Sequence, residues 1–364
     1  MMKISFDYRL IHKHQLPLVR IPMHLDKKPK LAITLGDIAG IGPEIIVGGW
    51  SHIVQQDDCL PIVYGNKSVI EKAISLWGSG HTVQPIDNPV LAKPTENVIP
   101  CLNSTPVHLL DIQPGEISAV AGEAAYHAIV MATLHTMLRK VDAIVTTPIN
   151  KKALNLAGCH FPGHTELIAS RCGVGDFAMM LYLGPSEHIR GTEGLAVVHV
   201  TLHTAMRTIF DEITSENVLA KIRLANDFMQ KMKGKTPAIG VCSLNPHAGE
   251  NGLFGHEELN IIEPAVRLAC EEGINVSGPF PADTIMLRAR DGEFDAVVAM
   301  FHDQGHIALK LLGMHQAVNI TLGLPIIRTS VAHGTAFDIA WQGKANPASL
   351  IEACRVACVL ARNQ

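Results

Sequence analysis

Three histidines follow apolar runs that are typical of buried β-strands. The runs and their histidines are VVHVTLH with His203, IGVCSLNPH with His247 and DAVVAMFH with His302. Ligands of open α/β sheets bind outside the carboxyl ends of the strands, and neutral imidazole is the commonest protein ligand for a divalent metal. The spacings are too long for a zinc finger, so the pattern predicts an open metal site that leaves positions for a substrate.

Two further histidines lie close in sequence to the predicted ligands. His199 and His203 are four residues apart, but on extended backbone this places them about 13 Å apart, too far to share one ion. His199 is therefore predicted to be either a core histidine or one that supports a metal ligand without binding the ion itself. His306 is predicted to begin a helix after a strand that ends at His302. Each predicted ligand taken alone is more often a polar residue satisfied by its neighbours, so the metal hypothesis depends on the set of three.

Two other segments carry side chains that suit an anion. In FPGHTELIA, His164 and Thr165 follow a Pro-Gly turn and precede a predicted helix, whose N-terminus favours negative charge. A helix cap is the simpler interpretation of Thr165. Nearer the C-terminus, Lys310, Asn319 and Arg328 offer two cations and an amide for a carboxylate or phosphate. The alternative for each of these three is an ordinary surface polar group.

Two segments are candidates for nucleotide binding. AHGTAFDIA predicts a turn with His333, Gly334 and Thr335 before a helix that contains Asp338, where backbone and hydroxyl donors would face a nucleotide. TLGDIAGIGPE (34–44) follows a strand and opens a helix, as a phosphate-binding turn does. Its glycines do not form the GxGxxG fingerprint of a Rossmann domain. A tight turn that requires positive φ is an equally good interpretation.

Composition restricts the class of protein. The chain has 364 residues, of which 47% are hydrophobic and 18% charged, with a formal net charge of −4. The absence of a basic excess argues against a nucleic-acid partner. Eight cysteines without a CxxC pair are typical of free thiols in a reducing cytoplasm. No run reaches the roughly 18 apolar residues of a membrane span. We therefore expect a cytoplasmic enzyme with a small-molecule substrate.

From residue 31 onward, strand-like runs alternate with helical patterns, which predicts a doubly wound α/β sheet. Strands are predicted at 31–36, 61–66, 142–148, 195–200, 237–244 and 294–301, and helices from residue 43 and at 119–139, 214–233 and 257–272. The length favours two domains. The predicted division is an N-terminal extension at 1–30, a first α/β domain at 31–155 plus 325–364, and a second at 156–324 that carries most metal ligands.

Seven strings occur together and in order: TLGDIAGIGPE, FPGHTELIA, SLNPHAGENGLFG, GPFPADT, FHDQGH, VNITLGLPIIRTS and HGTAFDIA. From residue 31 to the end the chain resembles the 4-hydroxythreonine-4-phosphate dehydrogenase family, PdxA. More distantly, GIGPE and HGTAFDIAWQGKANP are similar to isocitrate and isopropylmalate dehydrogenases, which bind NAD or NADP without a Rossmann fingerprint. The resemblance implies two α/β/α domains with a cleft between them. It also implies a homodimer with each active site at the subunit interface and metal ligands from both chains.

The resemblance implies roles for the residues already singled out. The metal ligands would be His203, His247 and His302, and the ion zinc, magnesium, manganese or cobalt. Substrate would contact His164, Thr165, Lys310, Asn319 and Arg328. The cofactor, NAD or NADP, would lie against the turn formed by His333, Gly334, Thr335 and Asp338. Three residues are candidates for the catalytic base: Lys151, Asp283 and Asp303.

The implied reaction is oxidation of the C3 hydroxyl of 4-phosphohydroxy-L-threonine, or of a close 4-phosphorylated hydroxy acid, followed by loss of the C1 carboxylate. The insert-like LGPSEHIRGTEG (183–194) departs from the family pattern. Three strings, NPHAGENGLFG, DFAMMLY and FHDQGHIALKLLG, look more like the catabolic branch, which oxidises 4-phospho-D-threonate or 4-phospho-D-erythronate. A further branch oxidises an aromatic cis-dihydrodiol such as that derived from terephthalate. These substrates are the alternatives.

Overall fold

The structure is a computed structural model that describes residues 28–56, 59–105 and 112–364. Most of the predicted N-terminal extension, residues 1–27, lies outside the described residues. The first strand begins at Lys30, within one residue of the predicted start of the folded part.

The described residues form twelve strands and eleven α-helices. The strands are β1 (Lys30–Thr34), β2 (Leu60–Gly65), β3 (Thr82–Ile86), β4 (Val98–Asn103), β5 (Ala143–Thr146), β6 (Ala178–Leu183), β7 (Leu195–His199), β8 (Ile239–Cys242), β9 (Val276–Phe280), β10 (Ala296–Ala299), β11 (Val318–Leu322) and β12 (Ile327–Val331). The helices are α1 (Gly42–Gln56), α2 (Lys67–Trp77), α3 (Ala119–Met137), α4 (Lys151–Leu156), α5 (His164–Cys172), α6 (Ile209–Glu212), α7 (Ser215–Lys233), α8 (Glu263–Glu271), α9 (Ala282–Arg290), α10 (His302–Gly313) and α11 (Ala348–Arg362). A π-helical turn, Glu258–Ile262, runs directly into α8.

All twelve strands form one sheet in the order β3-β4-β2-β1-β5-β12-β11-β6-β7-β10-β8-β9. The sheet is mixed rather than wholly parallel: β12 with β11, β11 with β6, and β6 with β7 are antiparallel. The connections explain this difference from the expected doubly wound sheet. Residues 323–326 join β11 to β12 and residues 184–194 join β6 to β7, and such short connections make hairpins instead of the crossovers that parallel pairs need. The insert-like segment 183–194 is thus the turn of a hairpin.

Helices cover both faces of the sheet. Successive side chains of a strand point to opposite faces, and here they belong to different apolar clusters, as expected for a sheet that is buried on both sides. In β1, Leu31 and Ile33 share a cluster with Trp50 of α1, whereas Ala32 packs with Ile129 of α3. The other half of the sheet follows the same rule. There, α7 and α8 cover one face, and α9 and α10 cover the other.

The predicted strands and three of the predicted helices are confirmed, with shifts of a few residues at their ends. The helix predicted at 257–272 is present, but its first turn is π-helical. The predicted helix around Asp338 is wrong, because residues 332–347 form turns. Ala336 and Trp341 have left-handed φ values of 44° and 58°. The buried carboxylate of Glu44 accepts hydrogen bonds from the backbone N–H groups of Trp341 and Gly343, and these tertiary contacts stabilise the turn over the local helical pattern.

The prediction that His302 ends a strand and His306 begins a helix is also wrong. β10 ends at Ala299, and α10 begins at His302 and includes His306. The two-domain division stays a prediction. Strands from the predicted first domain occupy the six positions from β3 to β12, and strands from the second occupy the other six. None of the described helices has the length and apolar character that a membrane crossing requires.

Candidate active site

His203 and His302 come together because they follow adjacent strands. β7 and β10 are parallel neighbours, with Ala299 opposite His199, and the backbone N–H of Thr201 donates to the carbonyl of Met300 at 3.2 Å. The ring centroids of His203 and His302 are 5.9 Å apart. Both rings line a cavity of about 260 Å³. His203 holds a left-handed φ of 49°, a backbone strain of the kind found at functional sites.

Neighbouring groups act on both imidazoles. Burial, the positive charge of Lys151 and the neighbouring His302 hold the pKa of His203 below its ordinary value. His302 Nδ1 lies 2.6 Å from a carboxylate oxygen of Asp303. A carboxylate on one ring nitrogen fixes the tautomer and leaves the other nitrogen, Nε2, for a metal. Asp303 therefore orients His302, and Lys151 lies close enough to His203 to affect its charge.

A second pair of histidines supports His302 from behind. His306 stacks on His302 with ring centroids 3.8 Å apart and planes 13° from parallel. His306 Nδ1 and His199 Nε2 are 3.1 Å apart in a hydrogen bond. Burial lowers the pKa of His199 to about 4 and that of His306 to about 3, so both are neutral at pH 7. The prediction that His199 is a core histidine is confirmed, since its side chain is buried.

His247 does not join the other two predicted ligands in the same chain. It is exposed in a loop after β8. Its ring centroid lies 6.2 Å from that of Phe254 in the same loop. Across the described ranges 28–56, 59–105 and 112–364, no three histidine, cysteine or carboxylate side chains lie close enough to hold a metal. Within one chain, His203 and His302 therefore lie together, whereas His247 lies on a separate exposed loop.

Arg328 is the centre of the predicted anion site. It lies on β12 and is 2% exposed. Its Nη2 donates to Thr146 Oγ1 at 2.8 Å, and its Nη1 donates to Thr321 Oγ1 at 2.8 Å and, more weakly, to Thr165 Oγ1 at 3.4 Å. The Nε–H has no partner among the described residues. Burial lowers the pKa of the guanidinium to about 10, which leaves a buried cation held only by hydroxyl groups.

His164 and Thr165 lie beside this cation. α5 begins at His164, and its N-cap is Gly163, so Thr165 is not the cap of the helix. Burial and the charge of Arg328 hold the pKa of His164 well below its ordinary value. His164 Nε2 is buried without a partner in the described part of the chain. A neutral imidazole, a hydroxyl and a buried guanidinium therefore meet at a helix N-terminus, where an anion is favoured.

Asn319 lies on the strand that contributes Thr321 to this group, whereas Lys310 lies on the helix that carries His302 and His306. Asn319 is two residues before Thr321 on β11, on the same face of the strand, and its buried Oδ1 has no partner within the described ranges. Lys310 is on α10, one turn after His306, and its charge acts on the ring of His306. Asp283 is separate from these residues. It lies exposed in the first turn of α9, just after β9, which pairs with the strand that leads to His247.

The predicted cofactor turn packs against the glycine-rich turn. The carbonyl of Thr335 accepts a hydrogen bond from Ile41 at 3.1 Å, and a Cβ added to Gly40 would lie 2.8 Å from the same carbonyl oxygen. His333 Nε2 is buried and unpartnered among the described residues, whereas Gly334 and Asp338 are exposed. Gly36 has φ +69° and would clash with Thr147 if it carried a Cβ. Tight-turn packing therefore explains two of these glycines.

Sequence reasoning missed several residues of the site. Thr146 and Thr321, which hold Arg328, were hidden in apolar strands, and only strand pairing shows that they flank it. Glu166 was also missed: its charge acts on both Arg328 and His203. Its position two residues after His164 was the available signal. Asp37, in the glycine-rich turn, is buried, and burial raises its pKa to about 6.

The chain was compared with known protein families and structures. The family model described as "Pyridoxal phosphate biosynthetic protein PdxA" matches residues 57–357. The chain belongs to the PdxA family. It is 43% identical to D-threonate 4-phosphate dehydrogenase of Pectobacterium atrosepticum, over 91% of this chain and 99% of that protein. It is 42% identical to 4-hydroxythreonine-4-phosphate dehydrogenase of Desulforapulum autotrophicum, over 92% and 96% of the two chains.

A solved structure agrees with the family assignment. The crystal structure of 4-hydroxythreonine-4-phosphate dehydrogenase from Klebsiella pneumoniae has a TM-score of 0.81 and 40% identity, and the match covers 92% of this chain and all of that one (100%). The predicted PdxA resemblance and α/β fold are thereby confirmed. As a member of a family of dehydrogenases, the protein is an NAD(P)-dependent oxidoreductase.

Proposed function

We propose that this PdxA-family protein oxidises the C3 hydroxyl of a four-carbon, 4-phosphorylated hydroxy acid and that loss of the C1 carboxylate follows. The observation that carries the proposal is the buried Arg328, whose Nε–H lacks a partner in the described structure beside His164 and Thr165. The charge of Glu166 acts on Arg328 but leaves the Nε–H without a hydrogen bond in the described structure. A buried donor of this kind is costly, and an anionic substrate group would accept from it. A guanidinium suits phosphate and carboxylate equally.

We propose that His203 and His302 hold a divalent metal. The donor set fits, because imidazole is a common ligand of divalent metals and the contact of Asp303 with Nδ1 of His302 leaves Nε2 for coordination. When bound, the metal would supply positive charge where negative charge develops on the C3 oxygen. Two imidazoles do not complete such a site. His247 projects from its own loop, and we propose that it completes the site of a second copy in a homodimer.

The exposed apolar side chains support this dimer. On α10, Ile307 is 60% exposed and Leu311 83% exposed. Phe210 follows the His203 segment and is 58% exposed, and Leu253 near His247 is 72% exposed. Large apolar patches that border a functional site mark interaction surfaces. Each of the three segments that carry a predicted ligand therefore also carries apolar surface for a partner to cover.

Substrate and cofactor would lie on opposite sides of the paired histidines in this proposal. Asn319, Lys310 and Arg328 would bind the charged ends of the hydroxy acid. The turn of His333, Gly334, Thr335 and Asp338 would bind NAD or NADP, which accepts the hydride. Among the three candidate bases, Asp303 is hydrogen-bonded to His302 and Asp283 is separate from the cluster. We therefore propose Lys151, whose charge acts on His203, as the group that receives the C3 proton; in this role its ammonium must first release a proton, so that the neutral amine is the acceptor.

The substrate is to be decided by direct assay of the metal-loaded enzyme with four compounds. These are 4-phosphohydroxy-L-threonine, 4-phospho-D-threonate, 4-phospho-D-erythronate and a terephthalate-type cis-dihydrodiol. Reduced nicotinamide, followed by its absorbance, is expected only with phosphorylated acids. The relative from P. atrosepticum is named for D-threonate 4-phosphate, which makes that compound the main alternative to the threonine derivative. Activity confined to the dihydrodiol would contradict the proposed phosphate site.

The metal is tested with chelator and with one substitution. Removal of divalent ions should abolish activity, and Co²⁺ or Zn²⁺ should restore it. His247→Ala should lower kcat/KM by more than about 100-fold, because it removes a proposed ligand of the metal. His256→Ala, an exposed histidine in the same loop, is the matched control. Turnover that survives both the chelator and His247→Ala would refute the metal.

A further inference from the structure

The loop that carries His247 has an unusual backbone. Five consecutive residues, 247–251, have left-handed φ values between 45° and 75°. Gly249 is the only glycine among them. Left-handed backbone is costly for L-residues other than glycine, so this conformation persists only where surrounding contacts enforce it. The contacts that enforce it must therefore be found close to the loop.

A buried carboxylate supplies those contacts. Glu258 is 1% exposed and begins the π-helical turn before α8. Its Oε1 accepts hydrogen bonds from the backbone N–H groups of Leu244 at 2.8 Å and Asn245 at 2.7 Å. Its Oε2 accepts a third from Asn245 Nδ2 at 2.9 Å. The same carboxylate lies so close to Gly249 that a Cβ there would come within 2.7 Å of Oε2.

The loop is thus wrapped around Glu258 on both sides of His247. Leu244 and Asn245 precede the histidine and Gly249 follows it, while His247 itself is exposed. Burial alone would raise the pKa of the Glu258 carboxyl, but its hydrogen bonds with Asn245 and Leu244 hold that pKa below the ordinary value. The carboxylate is therefore ionised at neutral pH and accepts every hydrogen bond that it makes with the loop.

We propose that Glu258 is the positioning residue for His247, and that it fixes the left-handed loop so that this imidazole reaches the metal site of a second copy. The inference rests on the shared site of the proposed function. Glu258 itself contacts neither metal nor substrate; it acts through the loop. Loss of such a supporting group typically weakens metal binding by about 10–100-fold.

The test uses hybrid dimers made by co-expression of two differently tagged variants and purified through both tags. His247→Ala with His302→Ala should restore one complete site per dimer. Glu258→Ala with His302→Ala should do the same, because the first chain keeps its own His203 and His302 and the second keeps its His247 loop. Glu258→Ala with His247→Ala should not, because neither chain presents His247 correctly.

Co²⁺ affinity of each metal-free dimer, measured by equilibrium dialysis, is the readout that does not depend on activity. Glu258→Ala should weaken Co²⁺ binding at least about tenfold. Glu258→Gln should weaken it less, because its amide oxygen still accepts from Leu244 and Asn245. Glu263→Ala removes an exposed carboxylate from the same helix and should bind Co²⁺ as the wild type does. Urea unfolding of each variant measures how far the fold itself is affected.

Two results would overturn the positioning role. One is wild-type Co²⁺ affinity in Glu258→Ala. The other concerns the two hybrid dimers that share a His302→Ala chain. If the dimer with His247→Ala binds Co²⁺ and the dimer with Glu258→Ala does not, Glu258 is needed for the His203 and His302 of its own chain. Failure of His247→Ala to complement His302→Ala contradicts the shared site instead. In that case the Co²⁺ affinities of the Glu258→Ala and His247→Ala proteins are compared with that of the wild type. Equal weakening in the two variants supports the positioning of His247 by Glu258, and unequal weakening refutes it.

Discussion

At the scale of single residues, the predicted anion site is built around a buried guanidinium with one N–H unpartnered among the described residues. Arg328 is buried among threonine hydroxyls and keeps an unpartnered Nε–H in the described structure. Hydroxyl groups orient a guanidinium without neutralising it. The same fold can therefore hold the cation in a fixed position and still leave its charge for a ligand. This is the arrangement that electrostatic binding of an anion requires.

Asp37 provides a residue-scale prediction about pH. Burial raises the pKa of its carboxyl to about 6, against the hydrogen bond from the backbone of Ala39. A raised pKa in the folded state means that its contribution to stability is full below pH 3.8 and is lost as pH rises through about 6. Asp37→Asn keeps the acceptor for Ala39 and cannot ionise. Between pH 5 and pH 7.5, the wild type should lose roughly 1–1.5 kcal/mol more unfolding free energy than Asp37→Asn.

Urea unfolding at the two pH values measures this difference. Asp87→Asn removes an exposed carboxyl and should follow the wild type at both. Equal pH dependence in the wild type and in Asp37→Asn would show that the buried carboxyl does not titrate in this range.

At the scale of secondary structure, α10 carries its histidines and a lysine on one side and exposed apolar residues on another. His302, His306 and Lys310 recur every four residues and face the site, while Ile307, Leu311 and Met314 lie on the exposed side. The approach of α10 to β7 depends on Gly305. A Cβ at this position would lie 2.6 Å from both His199 Nε2 and Val197 Cγ1.

Gly305→Ala should therefore force α10 away from β7 and tilt the His302–His306 stack. Alanine in a helix normally stabilises by up to about 1 kcal/mol relative to glycine. Here we expect the opposite sign, a loss of about 1–3 kcal/mol of unfolding free energy, together with a lower kcat/KM. Urea unfolding and steady-state kinetics measure the two effects. Gly175→Ala, where a Cβ meets nothing within 4 Å, is the matched control, and equal behaviour of the two variants would contradict the close contact.

The element scale also shows what the sequence could and could not predict. Strands ahead of His203, His247 and His302 were predictable, because short continuous runs of valine, isoleucine and alanine are typical of strands that are buried on both faces. The stacking of His302 on His306 was not, because it depends on only two residues separating the end of β10 from the start of α10. The left-handed loop of His247 was equally hidden, since a carboxylate eleven residues later enforces it. Local pattern predicts elements, whereas tertiary contacts decide loops.

At the scale of the whole molecule, the continuous sheet brings two of the predicted ligands together and leaves the third apart. His203 and His302 share a cavity, and His247 is exposed on a separate loop. The sequence suggested a set of three ligands, yet geometry within one chain supports only a pair. The expectation that metal ligands come from both chains of a dimer rests on the family resemblance, because the contacts within one chain do not reveal it.

A second copy covering α10 leads to the last prediction. Leu311, 83% exposed, should lie within the dimer interface, where a charge without a partner is costly. Leu311→Arg should convert the protein from dimer to monomer in sedimentation velocity. It should also weaken Co²⁺ binding about as much as His247→Ala does, because the monomer lacks the third imidazole. Val90→Arg alters a side chain that is 68% exposed near β3, far along the sheet, and should remain dimeric. A monomeric wild type, or a dimeric Leu311→Arg with unchanged Co²⁺ affinity, would show that α10 is not where the two copies meet.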